Sequence, residues 1–97
     1  MKRLFRLYRG EDLLGLVEHT EDDFPNHLGV FHSEEAFEAV KPLFEAEAAH
    51  LNSGRMDEWR KVREQIDASG LMLEPVGPGK KQERPLIHIE RNRVWWR

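Results

Sequence analysis

The order of elements readable in this sequence, ββ(β)ααβββ, predicts an α+β fold: an antiparallel sheet with an αα-hairpin on one face. Three observations carry it. Apolar residues alternate on both sides of a Gly10-Glu11 turn near the start of the chain. Two stretches in the middle space their apolar residues as helices do. The last third returns to short β-type runs folded about a second tight turn. The 97 residues suit a single domain spanning positions 1–97.

The first strand is expected over 2–9 and the second over 12–19, joined by Gly10-Glu11 with Gly10 at positive φ. That turn sets Leu7 opposite Leu14 and Phe5 opposite Leu16, flanked by Arg9–Asp12 and Arg3–Glu18. The reverse face then pairs Tyr8 with Leu13, Leu4 with Val17 and Arg6 with Gly15. Residues 20–27 read as a loop, because Glu21-Asp22-Asp23 and Pro25 oppose regular structure. Residues 28–31 read as a short strand.

Ser33 is placed to cap a helix, with Glu34 and Glu35 in its first turn. Phe37, Val40, Phe44, Ala48 and Leu51 follow at helical spacing. Pro42 falls on the solvent side and is expected to kink this helix. Asn52-Ser53-Gly54 turns the chain into a second helix over 56–69, with the stripe Met56, Trp59, Val62 and Ile66. Asp57–Lys61 and Arg63–Asp67 are i,i+4 pairs assigned to its exposed flank. Gly70 ends it. Residues 71–73 begin a strand, 75–81 form a loop, and 84–90 form the next strand. Arg91-Asn92 turns the last hairpin, with Asn92 tolerating the left-handed conformation. Its register pairs Glu90–Arg93, Ile89–Val94, His88–Trp95 and Ile87–Trp96. Phe37, Phe44, Trp59, Ile66, Ile87 and Trp96 are the expected core.

The net charge of −3 is unevenly spread. Residues 1–10 carry four bases and no acid, and residues 11–50 carry eleven acids against one base. Residues 71–97 carry six bases against three acids. Internal complementarity between a basic sheet and an acidic helix accounts for this. No cysteine is present, which excludes disulfides and thiol catalysis and agrees with a reducing compartment. The N-terminal residues Met1 to Arg6 lack the apolar run of a signal peptide, and no stretch approaches the roughly 20 apolar residues of a membrane span. A cytoplasmic protein without membrane partners is expected.

No residue pattern specifies a reaction. Ser33, Ser53 and Ser69 sit at expected helix ends, where capping accounts for them. The histidines His19, His27, His32, His50 and His88 show no i,i+4 or i,i+2 pair, and neither a metal site nor a cofactor is assigned. The Gly77-Pro78-Gly79-Lys80 loop lacks phosphate-loop spacing. The Asp22, Asp23 and His27 loop is the third-ranked functional candidate, as an enzyme site. Ahead of it stands the face of the sheet turned away from the helices. Leu4, Arg6, Tyr8, Leu13, Val17, His88, Arg93 and Trp95 are the candidate interaction residues there. The leading expectation is a non-enzymatic module that self-associates through this face as a homodimer. The alternative is single-stranded nucleic-acid binding on its basic and aromatic side chains.

Asp23-Phe24-Pro25, Gly29-Val30-Phe31, Ala36-Phe37-Glu38, Val40, Pro42-Leu43-Phe44, Trp59, His88-Ile89 and Trp95-Trp96-Arg97 together resemble a family of short, uncharacterised bacterial proteins. The resemblance covers nearly the whole chain. Its positions are mainly apolar or turn residues, so it implies a shared fold and no activity. His27 departs from the aromatic residue expected near that position.

Overall fold

A computed structural model describes residues 3–97. Lys2, expected in the first strand, lies outside them. The strands are β1 (Arg3–Arg9), β2 (Asp12–Asp23), β3 (Asn26–Ser33), β4 (Leu71–Pro75), β5 (Gln82–Glu83), β6 (Ile87–Glu90) and β7 (Arg93–Trp96). A 3-10 turn (Glu35–Ala39) leads into α1 (Lys41–Asn52), followed by α2 (Met56–Ala68). All seven strands join one antiparallel sheet in the order β5-β4-β1-β2-β3-β7-β6, so the α+β fold expected from the sequence is present.

Chain connectivity dictates the shape of this sheet. β5 and β6 lie at opposite edges, yet only residues 84–86 separate them. A flat seven-stranded sheet would hold its edge strands about 29 Å apart, at about 4.8 Å per strand. The four steps from Glu83 to Ile87 reach about 14 Å at most. The sheet therefore curls until its edges approach. Arg84 N bonds to Leu71 O at one edge and Arg97 N to Leu86 O at the other, and the Gln82 side chain joins the two edges by donating to Arg97 O at 2.6 Å. Inside the curl, Leu7, Val17, Phe31, Leu73, Ile87, Val94 and Trp96 form one core with Phe37, Val40, Phe44 and Ile66.

The first hairpin departs from the expected register. Gly10 has φ 58° as expected, and Arg9–Asp12 and Tyr8–Leu13 pair as expected. A bulge at Leu14 then shifts each later pair by one residue: Leu7 meets Gly15 and Phe5 meets Val17. Both Leu14 and Val17 are thereby directed into the core. A bulge inserts one residue into one strand, and this cannot be seen in an alternation read from a single strand.

Residues 20–27 are not a loop. β2 and β3 continue pairing through Asp22–His27 and Asp23–Asn26 to a tight turn at Phe24-Pro25, whose peptide bond is cis. Thr20 to Pro25 are exposed, so burial imposes no alternation on this part of the hairpin. Ser33 does not cap a helix. It ends β3 opposite Gly15, and the next amide, Glu34 N, bonds to Leu14 O. Nor does Pro42 kink a helix. It occupies the first turn of α1, where no amide donor is required.

The expected 84–90 strand is broken at Arg84 (φ 49°) and Pro85, where the chain crosses between sheet edges. The final hairpin has the expected register throughout, but Arg91, not Asn92, takes the positive φ. The helical pair lies beside the seam of the curl, with α1 packed on β6 and α2 reaching β4. Arg63 corrects the exposed-flank assignment. It is only 4% exposed, and its guanidinium donates to Ile87 O at 2.7 Å, Pro85 O at 3.2 Å and Asp67 at 3.0 and 3.1 Å. Met56, on the expected apolar stripe of the second helix, is exposed, whereas the six expected core residues are buried or half-buried. Among the described residues, no helix is long and apolar enough to cross a membrane.

Candidate functional site

Alternation along the strands and the observed registers set out the outer sheet face in rows. Met72, Tyr8 and Leu13 form one row across β4, β1 and β2. Glu74, Arg6, Leu16 and His32 form the next. Leu4, Glu18, Val30, Arg93 and Glu90 form a third, and Leu28, Trp95 and His88 a fourth. Six of the eight expected interaction residues, Leu4, Arg6, Tyr8, Leu13, Arg93 and Trp95, thus share one face. Val17 does not. The Leu14 bulge rotates it into the core, where it is 0% exposed, and Leu16 takes the outward position. His88 has the outward orientation but is only 8% exposed, because α1 covers β6 there. Leu28 and Val30 were missed because their strand was not divided into two faces. Their alternation with Gly29 and Phe31 was the available signal.

His88 belongs to a buried polar cluster. Its Nδ1 lies 2.8 and 3.0 Å from the two carboxylate oxygens of Glu47, and the Trp59 indole N–H donates to the same carboxylate. Trp95 stacks on the imidazole with ring centres 5.2 Å apart. Glu47 is fully buried, so these donors compensate the loss of its hydration. The cluster joins α1, α2 and the β6–β7 hairpin.

A second polar cluster stands on the β2–β3 hairpin. Asp22 Oδ1 accepts from His19 Nε2 at 2.7 Å and from His27 Nδ1 at 2.6 Å. These hydrogen bonds, that from His27 foremost, hold the Asp22 carboxyl below its ordinary value of 3.8. His19 and His27 also contact the Trp96 ring, at centroid distances of 5.5 and 5.4 Å. Asp23, in the same expected functional loop, is an exposed strand residue paired with Asn26.

The remaining histidines are dispersed. His32 bonds to Glu18 at 3.1 Å, while His50 has a buried Nδ1 with no hydrogen-bond partner among the described residues. Two serines engage the backbone, Ser53 bonding to Ala49 O and Ser69 to Ile66 O, and Thr20 bonds to Leu28 O. A cavity of about 630 Å³ lies between α1 and the β6–β7 turn, with Phe31, Phe37, Phe44 and Ile89 at its apolar side and Lys41 and Arg91 on its rim. Comparison with protein-family models, curated proteins and solved structures returns no significant match to this chain.

Proposed function

We propose that this protein is a cytoplasmic, non-enzymatic interaction module that forms a two-fold dimer through the outer face of its sheet. The observation that carries this reading is the outer face of β1–β3 and β7. There Leu13, Leu16, Val30 and Trp95 remain partly exposed and Leu4 is exposed, while the helices lie against the seam. The hairpin tip adds Phe24, 96% exposed. Apolar side chains brought together this way favour contact with another surface.

Charge favours a second copy over nucleic acid. Arg6 lies across from Glu74, Arg93 across from Glu90, and His32 is bonded to Glu18. A surface of alternating sign can complement itself under a two-fold rotation, with bases of one copy over acids of the other. Phosphates require an excess of bases, which these acids cancel. The resemblance to short bacterial proteins carries no activity and leaves this reading unchanged.

Multi-angle light scattering at about 10–100 μM, in the range expected for a modest interface, tests the proposal. Wild type is expected to be dimeric. Trp95→Glu and Leu13→Glu are expected to be monomeric, and Leu13→Glu, which lies outside the His88–Glu47 cluster, keeps an unchanged far-ultraviolet circular dichroism spectrum. A strictly monomeric wild type over that range overturns the dimer. Salt-sensitive oligonucleotide binding by that monomer, lost in Arg6→Ala and Arg93→Ala, would replace it with the nucleic-acid reading.

A further inference from the structure

The hairpin brings together two imidazoles and a carboxylate that are not adjacent in the sequence. Asp22 and His27 are direct cross-strand partners. His19 is three residues before Asp22, and an odd offset on a regular strand sets two side chains on opposite faces. A bulge at Thr20, between His19 and Glu21 in the register, removes that half-turn and brings His19 to the same side. Donor atoms of the three side chains all lie within 4.8 Å of one another. We propose that His19, Asp22 and His27 form a binding site for a divalent first-row transition metal of the zinc class.

Two imidazole nitrogens and a carboxylate oxygen are a donor set suited to such ions. Their support is rigid. The three residues stand on one hydrogen-bonded hairpin, and Trp96, buried in the core, packs against both imidazoles. Packing that fixes ring orientation favours metal binding, because less freedom is lost when the ion is held. Side-chain exposures of 60% for Asp22 and 46% for His27 leave an approach from solvent. A tetrahedral ion with bonds of about 2.0–2.1 Å needs donors about 3.3 Å apart. The imidazoles and Asp22 now stand 2.6 and 2.7 Å apart, joined through protons. Metal entry replaces those two hydrogen bonds and separates the donors by roughly 0.7 Å. The proton of each facing ring nitrogen moves to the other ring nitrogen or to solvent.

The experiment uses the full, tag-free chain with cobalt(II) followed by visible absorption and zinc(II) followed by calorimetry. One metal per chain is expected. Asp22→Asn and His27→Gln should each weaken binding at least about tenfold, while His32→Gln and His50→Gln leave it unchanged. In wild type, substoichiometric cobalt should broaden the Trp96 indole resonance before those of Trp59 and Trp95, a readout that requires no variant to fold. Absence of saturable one-to-one binding below about 1 mM, equal weakening in His32→Gln, or equal broadening of all three indoles overturns the site.

Discussion

Gly10 and Gly29 separate two reasons for a glycine. At Gly10 the backbone needs φ 58°, yet a Cβ there would meet no atom within 4 Å. Gly10→Ala should therefore cost only about 1 kcal/mol, the conformational penalty alone. At Gly29 a Cβ would overlap the backbone carbonyl of Glu18 on the paired strand. Because a ladder carbonyl cannot step aside, Gly29→Ala should lower stability by more, about 2 kcal/mol or beyond. Urea midpoints of the two variants give the comparison, and equal losses would contradict it. Asp22 makes a further residue-scale prediction for the metal-free protein. Its carboxyl is lowered by His27 and His19, so carboxyl chemical shifts should titrate below 3.8. A depressed folded-state pKa gives stability that is present above the ordinary value and lost as pH falls through the lowered one. Asp22→Asn should abolish that acid-side loss.

Among the elements, α1 is held to the sheet by more than its apolar stripe. Glu47 is buried between Trp59 of α2 and His88 of β6. Glu47→Ala removes the shared acceptor and leaves the buried His88 and the half-buried Trp59 donor without it, at an expected cost of about 3 kcal/mol or more. Trp59→Phe keeps most of the ring packing and loses one donor, so about 1–2 kcal/mol is expected. Thermal melts of both variants test the order, and a Glu47→Ala protein as stable as Trp59→Phe would refute it. The sequence places Trp59 on a helical stripe and pairs His88 with Trp95. It does not bring Glu47 to either, because that contact requires α1 to lie across β6.

At the scale of the whole molecule, the seam between β5 and β6 is the distinctive feature. Arg63 of α2 anchors one side of it, donating to Pro85 O in the crossing segment and to Ile87 O at the start of β6. Arg63→Met preserves the aliphatic stem but leaves Ile87 O, Pro85 O and Asp67 without this donor. A loss of about 2–4 kcal/mol is expected from denaturant midpoints. A variant as stable as wild type would mean that packing alone closes the seam.

Local chemistry determined much of this protein from sequence alone. The Gly10 turn, the second helix with its Gly70 stop, the register of the last hairpin and most of the core follow from turn residues and from periods of two or 3.6. Those rules act within a few residues. The Leu14 and Thr20 bulges answer instead to what lies on the partner strand, so only the assembled sheet decided that Val17 turns inward and that His19 joins Asp22 and His27. The fate of Arg63 was settled the same way: its pattern is that of a solvent-exposed helical ion pair, and it is buried because the sheet curls and presents two carbonyls to it. Burial and strand pairing between distant segments are properties of the closed fold, and no spacing along the chain contains them.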